Sequence, residues 1–409
     1  MKRVAVTGVG GLCALGHDWK SVREAILAGR SGVVTLPEWG AMGGLKTRLG
    51  APVPGFELPE AWPRKKTRSM GRDSAMAVRA TETALADAGL LGDPVLRDGR
   101  TGIAYGSTAG SPGALDAWAE RFYGRRSLSG IGANEYIRFM SHTCAANLAQ
   151  FFQTRGRVLP TCSACTSGSQ GIGLGYEAVR HGQQTVMIAG GAEELGLIDA
   201  AVFDILFAAS TRNDEPEATP RPFDVARDGL VVSEGACTLV LEEWEHARAR
   251  GARIHAEVLG FATNCDGRHI TNPDASGMEQ VMRLALADAE LPPEAIDYVN
   301  AHGTATEIGD IAESRATAAV FGAGVPVSTL KGFLGHALGA CGSIEAWLSL
   351  EMMREGWLSP NHNLREVDPR CAELDYIQGE PRRREVGILM SNNFAFGGVN
   401  TSLVFGRVD

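Results

Sequence analysis

A cysteine at the start of a glycine-rich segment is the residue of this chain best suited to act as a nucleophile. Cys165 lies in SACTSGSQGIG, where a predicted strand ends and a helix of small residues begins. We expect the free N–H groups and positive dipole end of that helix to favour the thiolate, lowering the pKa of Cys165 below its usual value of about 8.5. Gly168 and Gly171 would permit a tight turn and the close approach of another element.

Three other interpretations of Cys165 remain open. An arbitrary cysteine is more often a buried structural residue than a nucleophile. Cys162 and Cys165 form a C-x-x-C pair, which suggests redox chemistry, but Ala164 and the flanking residues do not resemble a thioredoxin turn. A zinc site would need further ligands at metal-binding spacing, and the neighbouring sequence offers none.

Two histidines follow predicted strands in the second half of the chain. His302 lies in NAHGTATEIGDIAE, and His336 lies with Lys331 in STLKGFLGHALG. In the first of these segments Thr304 and Thr306 offer two hydroxyls at period two, pointing the same way for hydrogen bonding. A lone histidine is more often a core residue than a catalyst, but a pair in equivalent turns of a repeat favours a joint catalytic role.

Composition limits the classes to which the protein can belong. The chain has 409 residues, a net charge of −9 and 44% hydrophobic residues, so it can bury a core in one large domain or two. An acidic total argues against a sequence-independent nucleic-acid binder. There is no apolar run of membrane-spanning length, and the N-terminus is interpreted as a strand rather than a signal peptide. Eight cysteines in a chain of this length predict reduced thiols in a cytoplasmic protein.

Glycines near the N-terminus invite a nucleotide-binding interpretation that the spacing does not support. Gly8 and Gly10 begin a G-x-G-x-x-G pattern, but its last position is Cys13. The acidic ribose ligand expected about 20 residues later is also missing. No organic cofactor is therefore predicted from this segment.

Short apolar runs alternate with Ala-rich helical stretches, which predicts an α/β fold. Their order recurs in the two halves of the chain. ALADAGL at 84–90 and ALADAEL at 285–291 each end a helix, and each is followed by a strand, a turn, another strand and a Gly-rich helix. We expect a duplicated fold whose reactive groups lie where the equivalent turns meet. The predicted strands are 3–7, 101–106, 158–163, 184–190, 236–242, 254–262, 296–301, 325–329, 386–391 and 401–406, and the predicted helices are 18–29, 74–88, 168–181, 277–289, 309–320 and 341–354. A long loop is predicted at 211–229.

One cysteine at a helix start and two histidines from the second repeat resemble the elongating 3-oxoacyl-carrier-protein synthases, condensing enzymes of the thiolase fold. The resemblance runs from RVAVTGVG to SLVFG and includes ACTSG, STRND, RPFD, AHGTAT, KGFLGH and FGG. It implies a thiolase-like duplicated αβαβα fold of five layers. Residues 1–250 would form the half that carries the nucleophilic cysteine, and residues 251–409 the half that carries the two histidines and the lysine.

The resemblance also implies a role for each matching residue. Cys165 would accept an acyl group from a carrier-protein thioester, with its own N–H and that of Phe396 as oxyanion hole. His302 and His336 would hold the malonyl thioester oxygen during decarboxylation, and Lys331 would favour their neutral form. Asp310 and Glu313 would support the site structurally, and Glu313 would be the partner of Lys331. Thr304 and Thr306 would hold the phosphopantetheine arm. Phe203 would lie near the acyl pocket, and Phe396 would be the gate between that pocket and the malonyl site.

Partners follow from the same resemblance. RKKTRSMGR at 64–72 carries five positive charges, and Lys65 and Arg68 would dock an acidic acyl carrier protein, although such a run is usually just a solvated surface. A homodimer is expected, with a heterodimer left open. Phosphopantetheine would arrive on the carrier, with no metal in catalysis. A structural monovalent cation would lie among Asn300, Ala301, Glu345, Ser391 and Asn392.

Departures from the family pattern leave the acyl substrate open. Ala395 stands where the gate loop usually has Gly, Glu307 stands where Pro is common, and Ser233 and Cys237 replace the usual glycines of another segment. An aryl-polyene or polyketide ketosynthase working with a chain-length factor would share this layout. A silent partner would not need all four catalytic residues, and a coenzyme-A thiolase would need a second catalytic cysteine that 391–398 lacks.

Overall fold

The structure is a computed structural model that describes residues 1–408. Its strands are β1 (Val4–Cys13), β2 (Val34–Thr35), β3 (Leu49–Ala51), β4 (Thr101–Gly106), β5 (Val158–Thr161), β6 (Val186–Glu193), β7 (Val232–Ser233), β8 (Gly235–Glu243), β9 (Ala256–Cys265), β10 (Tyr298–Asn300), β11 (Pro326–Ser328), β12 (Trp357–Leu358), β13 (Asp375–Tyr376), β14 (Arg382–Arg383), β15 (Ile388–Phe394) and β16 (Val399–Gly406).

The α-helices are α1 (Trp19–Leu27), α2 (Arg64–Thr67), α3 (Arg72–Asp87), α4 (Pro112–Ala119), α5 (Ala133–Arg138), α6 (Thr143–Phe152), α7 (Ser167–Arg180), α8 (Leu197–Ile205), α9 (Trp244–Ala249), α10 (Ala275–Asp288), α11 (Glu307–Phe321), α12 (Lys331–Leu334) and α13 (Cys341–Glu355). Every helix in the described part of the chain is too short or too polar to span a bilayer.

The order of strands in the main sheet shows an internal duplication. The sheet runs β13-β11-β10-β15-β16-β9-β1-β8-β6-β4-β5, and β1 and β9 pair antiparallel at its centre. On one side β4 pairs parallel with β5 and β6, while β8 pairs antiparallel with β6 and β1. On the other side β10 pairs parallel with β11 and β15, while β16 pairs antiparallel with β15 and β9. The predicted repeat is therefore confirmed by two sets of strands with the same order and sense.

Helices cover both halves of the sheet and fill the space between them. Helix α3 packs on β1 and β8, and α10 packs on β9 and β16, so these helices form outer layers. Helices α7 and α13 contact each other, with α7 against β4 and β6 and α13 against β15. Because each face of the sheet is apolar, this arrangement buries hydrophobic surface on both sides of every layer. The layers are helix, sheet, helix, sheet, helix.

Backbone contacts fix the position of helix α7, whose first turn follows Cys165. A Cβ atom added at Gly171 would lie 2.6 Å from the carbonyl oxygen of Gly190 and 2.8 Å from that of Ala104. One added at Gly168 would lie 2.8 Å from the carbonyl oxygen of Gly339, in the turn before α13. The glycines therefore let α7 lie directly on the sheet and against the second half.

Most predicted elements are present at nearly the predicted bounds. The loop at 211–229 is confirmed as irregular apart from a short 3₁₀ turn at Pro216–Ala218. The sequence did not predict α4 to α6, nor the small sheet β2-β3-β7. In this sheet β3 pairs with β7, which lies far from it in sequence. Helix α4 runs into a π-helical turn at Glu120–Gly124, where Trp118 stacks on Phe122 with ring centroids 4.6 Å apart.

Candidate active site

Cys165 lies in a tight turn between β5 and α7. The residue before it, Ala164, has a φ of 50°, and Ser167 secures the turn by accepting a hydrogen bond from Ser163 N at 2.9 Å and donating to Ala164 O at 2.7 Å. The cysteine itself is 6% exposed. The strand–turn–helix order thus presents one buried thiol at the edge of the sheet.

The expected lowering of the cysteine pKa was wrong. Burial raises the pKa of Cys165 to about 12, although the charge of Lys331 and the N–H groups of Cys165 and Phe396, which face the sulfur, act in the opposite direction. The helix begins at Ser167, two residues later, so the thiol lies beside the first turn rather than on its axis. The resting sulfur is therefore a thiol that two backbone N–H groups face.

His302 lies in the turn between β10 and α11, and two buried carboxylates from α11 hold this turn. Glu313 accepts hydrogen bonds from His302 N and Gly303 N, both at 2.7 Å. Asp310 accepts from Ala305 N at 3.1 Å, and Ala305 has a φ of 63°. Burial raises the pKa of Glu313 to about 8 and that of Asp310 to about 6. Both residues fix the backbone on which His302 is mounted.

Lys331, the first residue of α12, pairs with a different carboxylate from the one expected. Its ammonium donates to Glu345 on α13, and both side chains are 2% exposed. Glu313 uses both of its carboxylate oxygens on the backbone, so its predicted pairing with Lys331 was wrong. Although burial acts to lower it, the carboxylate of Glu345 raises the pKa of Lys331 above the usual value. The ammonium also lies 3.2 Å from His302 Nδ1.

His336 is anchored by backbone contacts between α12 and α13. Its N–H donates to Val231 O at 2.7 Å, and its ring Nδ1 accepts from Leu338 N at 3.1 Å. Because Nδ1 is an acceptor, the proton of a neutral ring is on Nε2. That Nε2 is buried and has no hydrogen-bond partner among the described residues.

The thiol and the two imidazoles meet in one place. The sulfur of Cys165 and one ring nitrogen each of His302 and His336 all lie within 4.8 Å of one another. The two rings are 5.1 Å apart and nearly perpendicular. Burial and then the charge of Lys331 lower the pKa of both histidines well below the ordinary value, so both are neutral near pH 7. Two neutral imidazoles therefore lie beside one thiol.

A cavity of about 370 Å³ opens onto these groups. Thr304 and Thr306 line it, with their hydroxyl oxygens 2.8 Å apart. Phe203 of α8 and Phe396 also line it, with ring centroids 5.4 Å apart. The structure thus brings together the predicted catalytic, gate and substrate-binding residues. Lys65 and Arg68 are exposed on α2 and at its end, outside the lining of this cavity.

Within residues 1–408, two sets of side chains offer atoms that could bind a metal ion. In the first, Cys165, His302 and His336 present sulfur and nitrogen, which suit a soft divalent ion such as Zn²⁺. In the second, His302, Cys341 and Glu345 lie equally close, but the ammonium of Lys331 already contacts both His302 and Glu345. A side-chain cation therefore occupies the second set.

Sequence reasoning missed Asn393 and Cys341, and it assigned Glu345 only to a cation site. Asn393 donates to Glu345 Oε2 at 2.8 Å, and Cys341 donates to the carbonyl oxygen of Cys165 at 3.3 Å. Asn393 lies in the SNNFAFGG segment already chosen for Phe396. Its place three residues before the gate was the available signal.

The fold and this Cys–His–His arrangement define an acyl-transferring condensing enzyme of the thiolase-like class. The family model "Beta-ketoacyl synthase, N-terminal domain" matches residues 1–247, and "Beta-ketoacyl synthase, C-terminal domain" matches residues 255–365. The chain belongs to the β-ketoacyl synthase family.

Similar proteins of known sequence or structure span the whole chain. A crystal structure of a β-ketoacyl synthase from Burkholderia phymatum STM815 has 57% identity and a TM-score of 0.98, with both chains covered completely. The 3-oxoacyl-[acyl-carrier-protein] synthase 1 of Escherichia coli K12 is 36% identical over 410 residues, again covering 100% of each chain. The ishigamide ketosynthase/chain length factor has 31% identity and a TM-score of 0.92 over the full length of both chains.

Proposed function

We propose that the protein elongates acyl chains in fatty-acid synthesis by decarboxylating condensation. An acyl group on Cys165 would react with malonyl-acyl-carrier protein, giving 3-oxoacyl-acyl-carrier protein, CO₂ and free carrier protein. The observation that carries the proposal is the meeting of one buried thiol and two neutral imidazoles within 4.8 Å at the end of a cavity. Family membership and the full-length relatives support the same chemistry.

The first half-reaction transfers the acyl group to Cys165. The sulfur attacks the thioester carbon, and the carbonyl oxygen takes the negative charge between the N–H groups of Cys165 and Phe396. Each donor of such an oxyanion hole is worth about 3–4 kcal/mol of barrier. The C–S bond to the carrier then breaks, and the thiol proton ends on the carrier sulfur. No external base is consumed, which suits a cysteine whose resting form is the thiol.

The second half-reaction uses the two histidines. When the malonyl thioester loses CO₂, the electrons of the broken C–C bond form an enolate whose oxygen needs donors. The Nε2–H groups of His302 and His336 supply two, and because both rings are neutral they donate without surrendering a proton. The enolate carbon attacks the acyl carbon, the C–S bond to Cys165 breaks, and the thiolate takes up one proton from solvent, which balances the negative charge of the malonyl carboxylate that left as CO₂.

Substrate delivery is assigned to residues along the cavity and at the surface. Thr304 and Thr306 would hold the phosphopantetheine arm that the carrier brings, so the chemistry needs no organic cofactor of its own. Phe396, packed on Phe203, would gate the acyl pocket. The exposed cations Lys65 and Arg68 would dock the acidic carrier protein.

A structural monovalent cation is proposed beside the Lys331–Glu345 pair. The buried Asn300 Oδ1 has no hydrogen-bond partner among the described residues, which supports a ligand there. Asn300 Nδ2 donates to Ser391 Oγ at 3.2 Å, so the amide oxygen is left over. Glu345, Ala301, Ser391 and Asn392 would complete the set.

We also propose a cytoplasmic homodimer. Its interface would include the edge strand β5 and the exposed apolar side chains of residues 112–140. Among these side chains, Tyr123 is 68% exposed and Leu128 is 71% exposed. Each chain would divide into the halves 1–250 and 251–409, the last residue of which lies outside the described residues. A heterodimer with a chain-length factor would accompany an aryl-polyene or polyketide role instead.

The test is intact-mass analysis after incubation with medium-chain acyl-carrier protein, followed by malonyl-carrier protein and product analysis. The proposal expects an acyl adduct on the wild type and on Cys162→Ala, no adduct on Cys165→Ala, and a 3-oxoacyl product two carbons longer. Loading only of polyunsaturated or aryl chains would overturn the fatty-acid assignment. Loading of no chain, where a control synthase loads, would overturn the enzyme assignment.

A further inference from the structure

A buried polar cluster lies behind His302, on the side away from the cavity. It consists of Lys331, Glu345, Cys341 and Asn393, each fully or almost fully buried. Lys331 and Glu345 supply opposite charges, and their contact satisfies one oxygen of the carboxylate. The other carboxylate oxygen of Glu345 and the Nδ1 atom of His302 both face Asn393.

The amide nitrogen of Asn393 contacts two members of this cluster, Glu345 and Cys341, and also the ring of His302. It lies near the end of β15 and is completely buried, with Nδ2 2.8 Å from Glu345 Oε2, 3.4 Å from His302 Nδ1 and 3.7 Å from Cys341 Sγ. Lys331 is held by the same carboxylate. One amide hydrogen is directed to Glu345, which leaves the second for His302.

The orientation of this amide is fixed by charge and by space. Turned over, its oxygen would face the Glu345 carboxylate, and two acceptors would repel each other. In the observed orientation Oδ1 has no hydrogen-bond partner among the described residues, a cost tolerated only if the nitrogen side compensates. Gly342 provides the room, because a Cβ there would lie 2.5 Å from Asn393 Oδ1.

These contacts determine which ring nitrogen of His302 carries the proton. Lys331 Nζ at 3.2 Å and Asn393 Nδ2 at 3.4 Å both present hydrogens to Nδ1. With donors on two sides, Nδ1 must be the acceptor, and the ring proton is on Nε2, facing the cavity. His336 reaches the same tautomer through the backbone N–H of Leu338, so only His302 depends on side chains for it.

We propose that Asn393 is a positioning residue that holds His302 as an Nε2–H donor for the malonyl half-reaction. The proposal rests on the proposed function, since it assigns a role within the same site. Asn393 acts through His302 and through the Glu345–Lys331 pair, and it does not touch the substrate. Acyl transfer to Cys165 uses backbone donors instead, so it should be nearly independent of Asn393.

The experiment compares Asn393→Ala and Asn393→Asp in the two half-reactions separately. Acyl loading of Cys165 is followed by intact mass, and CO₂ release from malonyl-carrier protein is followed with the same protein. We expect decarboxylation to fall by about 10- to 100-fold in Asn393→Ala and loading to change by less than about threefold. Decarboxylation should fall further in Asn393→Asp than in Asn393→Ala. The aspartate keeps the shape of the side chain but places an acceptor against His302 Nδ1 and a second carboxylate beside Glu345.

The rank order distinguishes donation from packing. If Asn393 only fills space, the isosteric Asn393→Asp variant would decarboxylate malonyl-carrier protein faster than Asn393→Ala, and that result would overturn the proposal. Equal losses in both half-reactions would overturn it as well. Asn147→Ala is the matched control, since Asn147 is also buried and hydrogen-bonded, to Ser69 and Ser74, but lies on α6. It should lower stability without changing the ratio of the two rates. Failure of the wild type to load would instead refute the proposed function.

Discussion

Replacing Glu345 by Gln tests how strongly the buried ion pair holds the site together. The substitution keeps the shape of the side chain but leaves the ammonium of Lys331 without a counter-charge in a place where both groups are 2% exposed. Removing one partner of a buried pair typically costs about 3–5 kcal/mol, because an uncompensated charge remains. We therefore expect Glu345→Gln to lose about that much free energy of unfolding.

Urea unfolding followed by circular dichroism at pH 7 measures this loss. The full cycle adds Lys331→Met and the double variant, which should lose less than the sum of the two single losses because it leaves no charge unpaired. The matched control is Glu279→Gln, which breaks an exposed ion pair on α10 between Glu279, 34% exposed, and Arg283, 49% exposed. It should lower the free energy of unfolding by less than about 1 kcal/mol. A loss under about 1 kcal/mol for Glu345→Gln, or additivity in the double variant, would show that Lys331 and Glu345 do not act as a coupled buried pair.

Three further predictions concern packing, pH and metal binding. Gly171→Ala should lose about 1–3 kcal/mol in urea unfolding, since its Cβ would meet two backbone oxygens, whereas Gly132→Ala, with nothing within 4 Å, should be nearly neutral. The pKa of Glu313 is near 4.3 in the unfolded chain and about 8 in the folded protein. Between these two values the folded protein keeps a proton on Glu313 that the unfolded chain has lost. The free energy of unfolding therefore falls as pH rises, by up to about 1.4 kcal/mol per pH unit from this group. Glu313→Gln should reduce that slope, and an unchanged slope would contradict the assignment. Zn²⁺ should inhibit acyl loading by binding Cys165, His302 and His336, and calorimetry should show binding to the wild type that Cys165→Ala weakens; equal binding by both would place the ion elsewhere.

The topology could be predicted because its signals are local. Short apolar runs between Ala-rich helical stretches marked the strands, and the order of elements around ALADAGL and ALADAEL marked the duplication. Cys165 follows β5 and His336 follows β11, which hold equivalent places in the two halves, so the repeat alone predicts that these two residues meet. His302 follows β10, whose equivalent is β4, so the expectation that the two histidines occupy equivalent turns was wrong, and its place beside Cys165 came from the family resemblance. Segments without such patterning, such as 112–152, gave no comparable signal, and α4 to α6 were missed.

The energetics of the site could not be predicted in the same way. Whether Cys165 is a thiol or a thiolate depends on how deeply assembly of the two halves buries it, and burial outweighed the helix start. The partner of Lys331 depends on whether α11 or α13 directs a glutamate at it, and both helices carry glutamates. Glu313 faces the backbone of its own turn, so Glu345 was left for the lysine.

The pairing of the first strand has a consequence for how the chain is made. β1 leaves the ribosome long before its partners, which are β8, from Gly235 onward, and β9, from Ala256 onward. At ordinary synthesis rates of about 5–20 residues per second, β1 waits roughly 10 to 50 seconds for a neighbour. During that interval an apolar strand with two bare edges is exposed to other nascent chains. Co-expression with a chaperone that covers extended apolar segments should therefore raise the soluble yield more than any change near Cys165 would.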